Sequence, residues 1–347
     1  MEPCRARTRP VAIVGNGRVT LTRRDLEREA AATGFAADTL EKVIRLLSLL
    51  NALRSHPFLK GRIALKGGTA LNLFVFDVPR LSVDIDLNYI GARDRDTTLA
   101  ERPRLEEAIQ AVCAREGLTV RRVPAEHAGG KWLLNFASAL MPRGNLELDV
   151  NFLLRIPLWP VTAQDSRRLG SFQATQVPVL DVHELAAGKL AALLARDASR
   201  DVFDAVEMLR RGDLDAAKLR LAFVVYGGAN RRDWRTVSAD AVRLNPEDVV
   251  RQLLPTLHAG AGVNRGDPAA WARDLLDECR QRLSVVLPLR TEEHEFLILL
   301  NDRGEIVPDL LTSDEAMKAT IREHPALLWK ARNAGRRGRP ADQQDLA

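Results

Sequence analysis

The eight residues from Arg80 to Leu87 read Arg-Leu-Ser-Val-Asp-Ile-Asp-Leu, and no other stretch restricts the fold of this chain as tightly. Strict alternation of apolar and polar residues is the period of a half-buried β-strand. Val83, Ile85 and Leu87 then point into a core, while Ser82, Asp84 and Asp86 share the opposite face at i, i+2 and i+4. Two carboxylates projecting side by side repel each other, which costs free energy unless cations neutralise them. A magnesium ion carrying nucleotide phosphates is the usual compensating ligand, with Asp84 and Asp86 as its protein ligands. The competing reading is an edge strand whose aspartates are simply solvated.

The segment upstream argues against plain solvation. Leu65-Lys66-Gly67-Gly68-Thr69-Ala70-Leu71 follows a predicted strand and opens a predicted helix. The glycine pair lets the backbone turn tightly and approach a ligand, and the amides at the start of the next helix favour an anion such as phosphate. Lys66, Gly67, Gly68 and Thr69 are therefore candidate nucleotide contacts. Alone, the same segment would read as an ordinary strand-to-helix turn.

Two later segments add charged groups. Leu146-Glu147-Leu148-Asp149-Val150-Asn151 alternates again, placing Glu147, Asp149 and Asn151 on one face, and Asp149 is a candidate third carboxylate for phosphoryl transfer. The run from Gly188 to Asp204 has a helical pattern, with helices expected at His183–Arg196 and Arg200–Arg211. At about 100° per residue, an unbroken helix would bring Lys189, Arg196, Arg200 and Asp204 within roughly 80° of one another. Ser199 is a plausible N-cap at which that helix would break. Arginines outnumber lysines by 43 to 8, so a lysine inside a motif stands out, and Lys189 lies among small apolar residues as a phosphate-contacting lysine would. A snorkelling surface lysine is the alternative.

Around these segments the chain of 347 residues predicts three folded regions and a tail. Helical patterns at Thr22–Ala31 and Asp38–Arg54, the second opened by a capping box of Asp38 and Glu41, make an N-terminal segment over 1–60. Strands and helices alternate over 61–180, an α/β (α+β) core with a mixed sheet. Within it, strands fall near Ile63, Val83, Thr119, Trp132 and Leu146, with a helix at Leu99–Glu116. A mostly helical C-terminal domain follows over 181–332, with its last helix predicted at Ser313–Ile321. Residues 333–347 are polar, basic and predicted to be disordered.

With 46% hydrophobic and 28% charged residues the composition is that of a folded soluble protein. No apolar run is long enough for a membrane helix or a signal-peptide core, and a cytoplasmic location is expected. Cys4, Cys113 and Cys279 have neither disulfide nor zinc-site spacing. A net charge of +5 and a pI near 9.4 suit a polyanionic partner without requiring one.

The set KGGTAL, RLSVDIDL, LELDVNF and GKLAALLARDASRDVFD, in this order and spacing, resembles the AbiEii/AbiGii-type nucleotidyltransferase toxins of bacterial toxin–antitoxin systems, including their MenT-like relatives. The resemblance covers about Ile63 to Arg210. It implies a nucleotidyltransferase-fold core, a nucleoside triphosphate substrate, magnesium, a cognate antitoxin and an RNA acceptor, with the 3′ end of tRNA favoured. Carried onto this chain, the glycine turn falls on Gly67 and Gly68, the metal pair on Asp84 and Asp86, the motif lysine on Lys189 and the late acid on Asp204. Asp149 matches a position where the family often has glutamate. Ser82 occupies a position that in some relatives is phosphorylated by the antitoxin, so it is a candidate regulatory site. Beyond about Gly212 no motif matches, and no pattern bears on oligomeric state.

Two other functions fit parts of the pattern. A nucleotide-binding regulator would need the glycine turn but not two carboxylates spaced for metal catalysis. An antibiotic or other small-molecule nucleotidyltransferase would share the turn and the acidic pair, but would not predict the Lys189 and Asp204 motif.

Overall fold

The structure, a computed structural model, describes residues 13–14, 18–76, 79–123, 129–264 and 266–337. Cys4 and the last part of the predicted tail, 338–347, lie outside the described residues. A short antiparallel pair, β1 (Ile13–Val14) and β2 (Arg18–Val19), precedes helices α1 (Arg23–Thr33) and α2 (Ala37–Ser55). The predicted capping box does not form. Helix α2 starts at an Ala36 N-cap with no side-chain cap bond. The buried Glu41 carboxylate instead accepts from Ser138 Oγ at 2.5 Å and the Ala139 amide at 2.7 Å. A tertiary pair of donors has taken the acid that local pattern assigned to the helix end.

The core then runs β3 (Ile63–Lys66), α3 (Gly67–Ala70, continued by a π turn to Val75), β4 (Asp84–Tyr89), α4 (Arg95–Arg115), β5 (Thr119–Val123), β6 (Gly129–Phe136) and β7 (Gly144–Asn151). Two strands of three residues follow, β8 (Thr162–Gln164) and β9 (Val177–Val179). The sheet order is β5-β6-β7-β4-β3-β9-β8, with β4 parallel to β7 and β3 parallel to β9. This is the expected mixed sheet. Neither β8 nor β9 is legible in the sequence, because three residues carry no period and Pro178 sits in the middle of β9.

One sheet face is apolar. Leu65, Ile85, Leu87, Trp132, Leu134, Leu148 and Val150 are buried there to 2% exposure or less, and α2 packs against both β7 and β9. The other face carries the polar alternates. Past β9 the chain is helical: α5 (Val182–Ala195), α6 (Ser199–Arg210), α7 (Ala216–Gly228), α8 (Pro246–Asp248), α9 (Pro268–Arg282), α10 (Thr291–Ile298), α11 (Glu315–Arg322) and α12 (Pro325–Arg337). Helix α12 is absent from the sequence expectation and takes up 333–337 of the predicted tail. Its apolar stripe is thin, with Ala326 and Leu327 buried but Leu328 and Trp329 exposed. Helix α5 rests against α3 and its π turn, which brings the helical half to the polar end of the sheet. No described helix is long and apolar enough to cross a membrane.

Candidate active site

Strand register assembles the first part of the site. Lys66 on β3 lies opposite Asp86 on β4, Asp86 opposite Asp149 on β7, and Asp149 opposite Lys131 on β6. Directly opposed residues share a face, so four strands present one row of cation, acid, acid, cation. One step along, Asp84 lies opposite Glu147. Lys131 Nζ reaches Glu147 at 2.6 Å, which leaves the row with an excess of negative charge around Asp84 and Asp86. Burial raises the pKa of Asp84, with Asp86 and Glu147 adding to the rise and Arg200 and Lys131 opposing it. Asp149 is raised by burial as well, with Asp86 adding and Lys66 opposing.

The glycine turn is cut to fit this row. Gly67 has φ +74°, and a Cβ built on it would stand 2.2 Å from Asp86 Oδ2. Only glycine lets the backbone come that close in that conformation. A Cβ on Gly68 would meet Ser82 Oγ at 3.0 Å, Arg80 Nη2 at 3.4 Å and Lys189 Nζ at 3.7 Å. The turn thus lies between the acidic pair and a set of cations. Thr69 is fully buried and its hydroxyl donates to the Asp84 carbonyl at 2.5 Å. The hydroxyl ties the turn to β4.

Behind the turn is an ion cluster, buried except for Arg196, whose side chain is 66% exposed. Lys189 Nζ sits 2.9 Å from Asp201 Oδ1 and 2.9 Å from Asp204 Oδ2. Arg80 grips Asp204 through two bonds of 2.6 Å, and Arg196 Nε reaches Asp201 Oδ2 at 2.7 Å. Burial would raise the Asp204 carboxyl, but Arg80 and Lys189 outweigh it and hold it at about 2. Asp201 is lowered in the same way by Lys189 and Arg196. For Lys189 too, burial opposes the charge, yet the two aspartates keep its pKa above the ordinary value.

The break expected near Ser199 is present, so the shared face of one unbroken helix does not form. The chain breaks between α5 and α6, with Ala198 as the N-cap of α6 and the Ser199 amide donating to Asp248 Oδ2 at 2.8 Å. Lys189 and Asp204 meet because two helices are folded against each other. Ser82 lies just before β4, which begins at Asp84, and it is 7% exposed and backs the glycine turn.

A cavity of about 500 Å³ opens here, lined by Lys66, Gly67, Gly68, Asp86, Lys189 and Arg196 among others. Asp84, Asp149, Arg200, Ser82 and Asp204 are not among the residues that line it. Glu184, Tyr226, Asn151 and Asn230 also line it, and sequence reasoning assigns none of them a role. Glu184 accepts from Tyr226 OH at 3.0 Å and the Trp159 amide at 3.2 Å, and burial pushes its carboxyl up to about 7. In the sequence it looks like an ordinary first-turn acid of α5. Arg80 and Asp201 are unassigned too, although both stand inside quoted motifs. Asp201 had one signal, its position one turn before Asp204 on the same helix face.

Among the described residues no three acid, histidine or cysteine side chains converge to enclose a metal. The acidic pair fits a metal whose remaining ligands are phosphate oxygens and water, as for magnesium. Cys113 and Cys279 are buried thiols, pushed up to about 12 by that burial, and belong to the core.

A family model described as nucleotidyl transferase AbiEii toxin, type IV TA system, matches residues 48–335. Among solved structures, MenT4, a nucleotidyltransferase toxin from Mycobacterium tuberculosis H37Rv, aligns with a TM-score of 0.54. The identity is 20%, over 89% of this chain and 99% of that one, so this likeness speaks for the fold alone. A comparison with curated protein sequences finds no match.

Proposed function

The chain belongs to the AbiEii family of nucleotidyl transferase toxins of type IV toxin–antitoxin systems, and on that premise we propose that it transfers a nucleotide from a magnesium-bound NTP to the 3′ end of tRNA in the cytoplasm. The observation that carries this reading is the in-register row of Lys66, Asp86 and Asp149 meeting the glycine turn at a cavity also lined by Lys189 and Arg196. Asp84 and Asp86 would hold the metal, which supplies charge neutralisation for the triphosphate. Lys66, the amides of Gly67 and Gly68, Lys189 and Arg196 bind and orient the phosphates, with Arg200 close enough to Asp84 to favour its charge. Asp149, with its raised pKa, would accept the proton of the attacking hydroxyl, whose oxygen bonds to the α-phosphorus as the bond to the leaving pyrophosphate breaks.

We assign the acidic row and the glycine turn to 61–180, with 1–60 as a supporting segment and the helical 181–332 supplying the cations Lys189 and Arg196 and the acceptor platform. The excess of basic residues favours a long polyanion over a small acceptor. The antitoxin of the system is the protein partner, and Ser82 is our candidate for modification by it.

The test is incubation of the protein with magnesium, each labelled NTP in turn, and either total RNA or aminoglycosides, across a salt series. Labelled tRNA whose yield falls steeply with salt supports the reading. A labelled aminoglycoside with untouched RNA replaces it by the small-molecule reaction, and binding of NTP without transfer replaces it by a regulator.

A further inference from the structure

Two cations of the candidate cavity, Lys189 and Arg196, are themselves held by residues that never reach it. Asp201, 2% exposed on α6, bridges them, accepting from Lys189 Nζ at 2.9 Å and Arg196 Nε at 2.7 Å. Asp204 takes the other side of the Lys189 ammonium and is clamped in turn by Arg80, also 2% exposed. We propose that Arg80 and Asp201 are positioning residues of the transfer reaction, fixing the place and the surplus charge of Lys189 and Arg196 for the nucleotide's phosphates. This rests on the reading of the cavity as the nucleotide site.

Charge count is the first argument. The cluster holds three cations, Arg80, Lys189 and Arg196, against two carboxylates, Asp201 and Asp204. Within this cluster one positive charge is left over, on which Asp86 and Asp84 also draw through Arg196, and an incoming phosphate competes for it. Without Arg80 the count falls to two against two. Asp204 would then draw on Lys189 alone, and the ammonium would have no charge left for a ligand.

Geometry is the second argument. Arg80 lies on a segment pinned from outside the core: the Leu81 amide donates to Thr256 O and the His258 amide to Pro79 O, each at 2.8 Å. From that anchor its guanidinium reaches Asp204 by a two-point fork, which fixes the carboxylate's plane as a lysine in its place would not. The same guanidinium stands 3.4 Å from the point where a Gly68 Cβ would sit, so one group lies between α6 and the glycine turn. Asp201 does the equivalent for the two cations on α5 and its C-terminal exit. A purely structural ion cluster would have no reason to place two of its cations on a cavity wall.

The experiment uses the full chain with substitutions Arg80→Met, Arg80→Lys and Asp201→Asn. Folding is followed by circular dichroism and thermal melting, NTP binding with magnesium by calorimetry, and transfer by steady-state kinetics. Expected are folded variants in which Arg80→Met and Asp201→Asn raise both Kd and KM for NTP tenfold or more, with a smaller loss in kcat. Arg80→Lys recovers part of the affinity, and adding Arg196→Gln to Asp201→Asn costs little more than Asp201→Asn alone. Folded variants with wild-type KM, or losses that follow the melting temperature alone, overturn the proposal. If Arg80→Met does not fold, Arg80→Lys and Asp201→Asn decide it. A wild-type protein that neither binds nor transfers NTP overturns the nucleotide-site reading and this inference with it, whereas an active wild type with unaffected variants overturns this inference only.

Discussion

Replacing Gly67 with alanine perturbs the candidate site through a single methyl group whose two effects separate cleanly. The first is backbone strain: at φ +74° a residue with a Cβ pays roughly 1–2 kcal/mol. The second is contact. The added carbon would lie 2.2 Å from Asp86 Oδ2, whereas even a close C···O contact is about 3.3 Å. The Asp86 carboxylate must retreat by about 1 Å, and a displacement of that size in a reacting constellation costs on the order of 10²-fold in rate, or about 2.7 kcal/mol of barrier.

Gly61 supplies the matched control, with the same φ of +74° and nothing within 4 Å of its built Cβ. Both variants should lose up to about 4 °C in Tm. Only Gly67→Ala should lose transfer, measured as the initial rate of labelled nucleotide incorporated into RNA. Equal rates for the two alanine variants, within about threefold, would refute the claim that Gly67 is kept for its approach to Asp86.

Asp84→Asn and Asp86→Asn should each leave the fold intact and cut transfer by several powers of ten, since each ~1.4 kcal/mol of lost metal stabilisation is tenfold; near wild-type rates with magnesium present would remove the pair from the site. Asp204, held at about 2 in the fold and near 3.8 when unpaired, contributes stability that is present above about pH 4 and lost as pH falls toward 2, on the order of 2 kcal/mol. Urea midpoints of wild type and Asp204→Asn should therefore converge over that window, and a constant gap contradicts the assignment. Ser82→Asp should suppress NTP binding without lowering expression, because a new negative charge behind the glycine turn, near Arg80 and Lys189, competes with the phosphates for those cations; full activity, with Ser82 unmodified after co-expression with the antitoxin, ends the regulatory idea.

The strand RLSVDIDL shows what the sequence makes legible. Period-2 alternation is a local property, and it correctly gives the face on which Asp84 and Asp86 stand. The glycine turn is legible for the same reason, its neighbours in space being its neighbours in sequence. Arg80 is not, because its meaning comes from Asp204, more than a hundred residues away. Helix geometry did suggest a shared face for Lys189 and Asp204, and the residues do meet, but across a break at Ala198 sealed by Asp248 of a distant helix. Glu41 makes the same point in the fold, its carboxylate drawn from a local cap to Ser138. Tertiary donors override local pattern wherever a buried polar group has a better partner elsewhere.

The two halves of the site carry opposite imbalances, and this bears on how substrate enters. On the sheet, Asp84 and Asp149 have raised pKa values because burial and neighbouring acids disfavour their charge. Behind the turn, cations outnumber carboxylates by one. A divalent cation alone would relieve the first imbalance and leave the second; a free triphosphate would meet the second but face repulsion from Asp86 on the cavity wall. The NTP bound with magnesium relieves both. Binding of the two should therefore be mutually reinforcing, each tightening the other by the same factor, tenfold or more for a coupling of about 1.4 kcal/mol. Calorimetric titration of NTP with magnesium and with EDTA measures that factor directly. In Asp86→Asn, which removes one acid from the cavity wall, NTP affinity without metal should rise while the gain from magnesium shrinks. An Asp86→Asn protein that keeps the full magnesium effect would place the metal elsewhere and break the link drawn here between the acidic row and the phosphate cations.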